Sequence, residues 1–204
     1  MITIIDYGLG NINAFINVYN RLNIPIKIAH SKNDIQDAEK IILPGVGAFD
    51  YAMTLLTKSG MRDEIEKKVL NNKVPILGIC VGMQILGISS DEGKLNGLGW
   101  INGKVNKFNT HNMNFKMQLP HMGWNTIDPI KSNKLIYNFD NTSKFYFLHS
   151  YYFSCFQPEN TLSVSNYAID FSSIINRDNI YGVQFHPEKS HNNGIQLLKN
   201  FANI

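Results

Sequence analysis

The sequence predicts an α/β fold, a three-layer sandwich around a mostly parallel central sheet with an antiparallel portion, and three observations carry that prediction. Short apolar runs alternate with amphipathic stretches through the first half, which is the pattern of βαβ units. The second half changes to runs in which aromatic residues alternate with polar ones, as in strands exposed on one face. At 204 residues, 44% hydrophobic and 17% charged, the chain suits one core that buries on the order of ~70% of the surface its unfolded form exposes. Residues 1–204 are therefore read as one domain.

Taken in order, ITIID is the first strand, residues 12–22 have helical apolar spacing, IPIKIA is a second strand, and residues 37–40 lead into the strand KIILPG. Helices are expected at residues 49–56 and 61–70, the second with Ile65, Val69 and Leu70 on one side. VPILGI is the next strand. Beyond it GWINGKVNKF, KMQLPHMGWNTI, KFYFLHSYYF and NIYGVQFHPE read as strands, for which a mixed sheet is expected, and GIQLLKNFANI as a closing helix. No repeat, low-complexity tract or linker-like stretch divides the chain.

The net charge of +3 is spread along the chain instead of gathered in a Lys/Arg block, so nucleic acid is not an expected partner. MITIIDYG lacks a basic segment followed by a long apolar one, and no apolar run reaches the ~18 residues a membrane span needs, which predicts a cytoplasmic chain with no membrane partner. Cys80 and Cys155, the only two cysteines, are read as reduced thiols.

Chemistry concentrates in VPILGICVGMQIL, where an apolar strand runs into Gly78, Cys80 and Gly82 and then into a helix-forming stretch. This is the G-x-nucleophile-x-G pattern of a nucleophile elbow, in which flanking glycines allow a sharp strand-to-helix turn that holds the central residue in strained backbone space. A helix N-terminus behind the sulfur favours thiolate, and its amides stabilise a developing oxyanion. A lone cysteine is most often a small buried hydrophobe, and Cys155, which lacks the glycines, is read that way. At Cys80 the strand, glycines and helix together reverse the reading.

Thiolate attack on an amide needs an imidazole to hold the ion pair and to protonate the leaving ammonia. Of six histidines, His186 stands out because YGVQFHPEKS places it just past a strand with Glu188 two residues on, on the same side of an extended stretch, where the carboxylate fixes the ring's tautomer. Two glycines in Pro44-Gly45-Val46-Gly47 suit a turn that directs backbone N–H groups at a bound carbonyl. Gln84, one helical turn past Cys80, is placed to line the pocket, and His149, Ser150 and Tyr151 end a strand with polar groups.

PGVG, GICVGMQ and FHPEKS together resemble the class I, or triad, glutamine amidotransferases, a flavodoxin-like family, and the likeness runs nearly end to end. DYGLGNI, EGKLNGLGWINGKV, LPHMGWN, FLHSY and YGVQFHPEKS are similar to the glutaminases of the branch that serves histidine biosynthesis through imidazole glycerol phosphate. LPHMGWN separates that branch from the glutaminases of anthranilate, carbamoyl phosphate, CTP and GMP synthesis. The resemblance implies Cys80 as nucleophile, His186 as acid/base and Glu188 as the group that orients His186. It implies an oxyanion hole from the amides of Val46, Gly47 and Val81, with a backbone rearrangement triggered by the partner as one route to completing it. Gly47, Gln84, His149, Ser150 and Tyr151 would hold L-glutamine. Pro120, His121, Met122, Gly123, Trp124, Asn125 and Lys189 would face a (β/α)8-barrel cyclase subunit in a heterodimer, into which ammonia passes. No metal or other cofactor is implied.

Val81, Ala14 and Phe15 depart from the family pattern, and a paralogous glutaminase that supplies a sugar-amidating enzyme of surface-glycan biosynthesis is the alternative reading. A cysteine peptidase of related fold would not need Glu188, Gln84 and LPHMGWN together. A binding subunit without catalysis would be expected to lack one of Cys80, His186 or Glu188.

Overall fold

A parallel sheet is covered on both faces, so its central strands must be apolar on both. The runs ITII, IILPG, ILGIC and IYGV meet that condition, being buried at every residue. A computed structural model describes residues 1–108 and 118–204. Its first half runs β1 (Ile2–Ile5), α1 (Ile12–Arg21), β2 (Ile26–Ala29), β3 (Ile41–Gly45), α2 (Phe49–Lys58), α3 (Arg62–Glu66), β4 (Ile76–Cys80) and α4 (Val81–Gln84). The second half adds β5 (Ser89–Ser90), β6 (Gly103–Lys107), β7 (His121–Thr126), β8 (Asp128–Pro129), β9 (Lys144–His149), β10 (Tyr151–Cys155), β11 (Thr161–Tyr167), β12 (Ile169–Arg177), β13 (Ile180–Val183) and α5 (His191–Ala202).

Eight strands form the main sheet in the order β2-β1-β3-β4-β13-β12-β11-β8, the first five parallel and the last three antiparallel. The chain moves from β1 to β2 in one direction and from β3 to β4 in the other. Right-handed crossovers therefore put α1 on one face and α2 with α3 on the opposite face. α5 returns to pack against α1, and α2 packs against α4. A three-stranded sheet (β10-β6-β5) and the antiparallel pair β7-β9 stand beside this sandwich. The mixed sheet expected from the sequence is thus present.

Register brings the motifs together. Gly45 pairs with Cys80 across β3 and β4, and Val183 pairs with Ile79 across β13 and β4. The PGVG turn, the Cys80 elbow and the FHPE segment consequently leave the sheet at the same edge, outside the carboxyl ends of parallel strands, where ligands of such sheets bind.

Four details differ from the sequence reading. The crossover from β2 to β3 carries a 3₁₀ turn at Lys32–Ile35, capped by Asp34, ahead of the residues 37–40 that lead into β3. The helix expected at 61–70 splits into α3 and a wide turn at Lys67–Asn71, and Asn179 Nδ2 donates to the Val69 and Val74 carbonyls there. The runs singled out in the second half also omit β11 and β12, the longest hairpin of the sheet. Its inner positions carry serines that bond locally, Ser173 to Ser163, Ser172 to Thr161 and Ser165 to the Thr126 carbonyl, so no apolar alternation marks them. Lys116 and Met117, the start of the expected KMQLPHMGWNTI strand, lie outside the described residues, and β7 begins at His121.

Candidate active site

β4 ends on Cys80 with φ 55° and ψ −112°, a conformation that side-chain-bearing residues rarely adopt. Close backbone approach enforces it. A Cβ on Gly82 would lie 2.0 Å from the Leu43 carbonyl oxygen, and one on Gly78 would lie 2.5 Å from the Gly82 carbonyl oxygen. The elbow therefore packs directly on β3 and on itself. The helix behind it is shorter than expected: α4 is one turn, so its dipole is small and the charge on sulfur depends on neighbouring groups. The thiol is buried, within 3.8 Å of the Leu148 carbonyl and 3.9 Å of Gln184 Nε2.

His186 and Glu188 meet beside it. His186 Nδ1 lies 2.8 Å from Glu188 Oε1, with side chains only 6% and 3% exposed. The contact arises differently from the extended H-P-E expected. Pro187 opens a 3₁₀ turn, Pro187–Lys189, that folds the carboxylate back onto the ring. Backbone bonds lock the turn: His186 N donates to Tyr146 O at 2.9 Å, Ser190 Oγ to His186 O at 2.6 Å, and Tyr146 N to Ser190 Oγ at 2.9 Å. With Nδ1–H on the carboxylate, Nε2 is left buried without a hydrogen-bond partner of its own. Burial works to lower the ring's pKa, but interaction with Cys80 and then Glu188 outweighs it and raises His186 to about 10. These two interactions favour the protonated ring beside the sulfur.

Cys80 opens on a cavity of about 260 Å³. Val46, Gly47 and Val81 line one part of it, and Gln84, Pro120, His149, Ser150 and Tyr151 the rest. These are the residues the sequence singled out, and two more line it that were not, Leu148 and Glu92. Glu92 is held in place by a reciprocal clasp. Its carboxylate accepts from Phe49 N at 2.8 Å, while Asp50 accepts from Lys94 N at 2.9 Å and Leu95 N at 3.0 Å. The available signal was an acidic residue within EGKLNG. Tyr7, from the N-terminal DYG, was also missed: its hydroxyl donates to the Pro44 carbonyl at 2.7 Å and so anchors the PGVG turn. Burial, and then the Cys80 charge, push its pKa up.

Gln84 has a partly different role from the one expected. Both hydrogens of its amide are engaged, one by the Tyr151 carbonyl and one by Gln184 Oε1, each at 3.1 Å, so it braces the cavity wall and has no donor left for a ligand. A second cavity, about 320 Å³, lies on the other side of the His186–Glu188 pair: Gly10, Asn11 and Phe15 line it together with His186, Glu188 and Lys189. Val46 borders both cavities.

Strand alternation sorts LPHMGWN. Met122 and Trp124 point outward, 62% and 49% exposed, and Trp124 stands edge-on to Tyr146 and His191. Lys189 lies 5.9 Å over the Tyr146 ring on the same side. His121 is the expected interface residue that is buried, and Asn125, on the same side of the strand, bonds to it and to the Asn166 carbonyl. His121 turns inward, only 4% exposed, because it faces His149 in the β7-β9 pairing. Cys155 is a free thiol whose pKa burial raises, in keeping with a structural role. Among the described residues no helix is long and apolar enough to cross a membrane.

The family model for class-I glutamine amidotransferases matches residues 3–204, and the chain belongs to that family: it is a glutamine amidotransferase. Among its relatives, proteins named imidazole glycerol phosphate synthase subunit HisH are 52% identical in Bdellovibrio bacteriovorus and 49% in Leptospira borgpetersenii, each match covering 100% of both chains. Two solved structures share the fold, each at 15% identity and each covering 99% of this chain. A glutamine amidotransferase matches with a TM-score of 0.75 over 99% of its own length. PurLQS from Thermotoga maritima matches with 0.71 over 97%.

Proposed function

We propose that residues 1–204 form one domain that acts as the glutaminase subunit of imidazole glycerol phosphate synthase, hydrolysing L-glutamine and passing the ammonia to a (β/α)8-barrel cyclase subunit in a cytoplasmic heterodimer. The observation that carries the reading is that Cys80, on its strained elbow, opens on a cavity of about 260 Å³ on one side while the buried His186–Glu188 pair lies behind its sulfur, lining the neighbouring cavity.

In this reading the glutamine α-ammonium is drawn to Glu92, the one carboxylate lining the cavity, and the side-chain amide lies at the sulfur. The Cys80 thiolate, paired with protonated His186, attacks the carboxamide carbon. Backbone N–H groups of Val81 and of the Val46–Gly47 turn stabilise the tetrahedral oxyanion. His186 delivers its proton to the departing ammonia, leaving a γ-glutamyl thioester. It then takes a proton from the attacking water, and glutamate leaves as the thiolate reforms. Glu188 holds Nδ1–H throughout and stabilises the imidazolium. The ammonia has to reach its acceptor before bulk water protonates it, which suits a partner covering the exposed Met122, Trp124 and Lys189.

The test is to purify the chain with its native partner and supply glutamine together with the histidine-pathway ribonucleotide intermediate. Glutamate and imidazole glycerol phosphate are expected, and Cys80→Ala is expected to yield neither from glutamine. Full glutaminase activity in Cys80→Ala would refute the mechanism. A complex that amidates only a sugar would refute the pathway.

A further inference from the structure

A continuous chain of hydrogen bonds runs from β7 to the Cys80 sulfur. Asn125 Nδ2 lies 3.3 Å from His121 Nε2, His121 Nδ1 lies 3.0 Å from His149 Nε2, and His149 Nδ1 lies 2.8 Å from the Tyr151 carbonyl. That carbonyl also accepts from Gln84 Nε2, Gln84 Nε2 also donates to Gln184 Oε1, and Gln184 Nε2 approaches Cys80 Sγ at 3.9 Å. The direction of each bond follows from the end that has no choice. A carbonyl only accepts, so His149 carries its proton on Nδ1 and accepts on Nε2. His121 must then donate from Nδ1 and accept from the Asn125 amide on Nε2. Only two neutral rings, both in the Nδ1–H tautomer, satisfy every contact.

The surroundings favour that state. His121 is stacked between Phe147, at 4.9 Å and 20°, and Tyr167, at 4.0 Å and 16°. His149, 5% exposed, packs against Phe108 and Phe171. Burial is the main cause that holds His121 down at about 4 and His149 at about 3. An apolar ring would fill the place between Phe147 and Tyr167 without the desolvation cost of an imidazole. What the imidazole adds is a connection. β9 ends at His149 in its pairing with β7, and β10 starts at Tyr151 in its pairing with β6, so Ser150, which lines the glutamine cavity, belongs to neither ladder. Side-chain bonds to the Tyr151 carbonyl hold that bend instead.

We propose that His121 is a positioning residue for the glutaminase reaction: through His149 it ties the Ser150–Tyr151 wall of the glutamine cavity to the strand that carries Met122 and Trp124 on its outer side. The inference rests on the glutaminase reading above and assigns His121 to the inside of the protein rather than to the partner surface.

Two variants of the full chain test it, with and without the native partner. His121→Phe keeps a stacked ring and removes the donor, whereas His121→Asn keeps an N–H donor near the position of Nδ1. Glutamine KM is read in the complex. In the free chain, alkylation of Cys80 by a glutamine-like diazoketone, with loss of N₂, gives an inhibition constant and a maximal rate. For His121→Phe both constants for the glutamine site should rise by roughly five- to fiftyfold, from one unsatisfied buried acceptor, with the maximal rates changed far less. His121→Asn should recover most of the loss. Unchanged constants in a folded His121→Phe protein would overturn the proposal, as would His121→Asn behaving no better than His121→Phe. If His121→Phe fails to fold, the unmodified protein decides: ¹⁵N NMR should show both rings neutral and protonated on Nδ1 at pH 7, and an Nε2–H tautomer in either would overturn it. Wild-type protein inert to both glutamine and the diazoketone would instead overturn the glutaminase reading, and this one with it.

Discussion

Replacing Cys80 by glycine and by alanine separates the cost of the elbow from the loss of its sulfur. Both variants lose the thiol and both should lose glutaminase activity, but only alanine keeps a Cβ at φ 55°, ψ −112°. A side-chain-bearing residue held in such a region costs about 1–3 kcal/mol, and ψ −112°, far from the left-handed helical well, puts Cys80 in the upper part of that range, about 2–3 kcal/mol, which glycine is spared. Against this, glycine loses about 0.5–1 kcal/mol more backbone entropy on folding, and the missing buried methyl group forgoes about 0.8 kcal/mol. The balance leaves Cys80→Gly more stable than Cys80→Ala by about 1 kcal/mol, which for a chain of this size is about 2–4 °C in Tm. Thermal unfolding followed by circular dichroism, with urea titration to check that the m-value is shared, measures the difference. Cys80→Gly melting at or below Cys80→Ala would show that the elbow is not strained, and the account of how β4 presents its nucleophile would fall.

Three further outcomes follow from the same geometry. Glu188→Gln keeps a hydrogen-bonding group near His186 but removes its charge, so the ring's pKa should fall from about 10 and kcat for glutamine should drop by about 10²–10⁴, read by NMR titration and steady-state rates; an unmoved titration would refute the role given to Glu188. His121 and His149 titrate lower folded than the ordinary 6.5, so the unfolded chain binds more protons as pH falls; their stabilisation is present above about pH 6.5 and lost progressively toward pH 4, and His121→Phe should flatten that decline in Tm, parallel curves being the contrary result. Gly82→Ala places a Cβ 2.0 Å from the Leu43 carbonyl oxygen, so β3 and the elbow must part, and a loss of about 3 kcal/mol in urea denaturation is expected; an unchanged midpoint would mean the contact relaxes freely.

How much of this was legible in the sequence depends on what kind of force shapes each part. The buried parallel strands left continuous apolar runs, and the close approaches at the elbow left glycines at Gly78 and Gly82, so the elbow that carries the proposed nucleophile was visible in a single line of text. His186 and Glu188 were visible as a spacing, although the 3₁₀ turn that joins them was not. The β11–β12 hairpin escaped because its buried serines satisfy one another instead of forming an apolar pattern. Glu92 escaped because what positions it lies across the chain, at the N-terminus of α2, and nothing local to EGKLNG announces it.

β7 joins these two kinds of information. Its period of two is plain in the sequence, yet its polarity is inverted: His121 and Asn125 face the body of the protein while Met122 and Trp124 face outward. A free-standing strand with that pattern would be unfavourable on both sides, exposing apolar area on one and burying polar groups on the other. The inner side is resolved within the chain, since each ring nitrogen of the histidine pair has a matched partner. The outer side has no such resolution among the described residues, and the aromatic cluster of Trp124, Tyr146 and His191 stays open to solvent. The inversion becomes consistent once the proposed partner covers that face, because one strand then presents apolar contacts to the partner and hydrogen bonds to the glutamine cavity. Docking and substrate positioning would share a single rigid element, which is a physical reason for a glutaminase of this kind to depend on the enzyme it supplies.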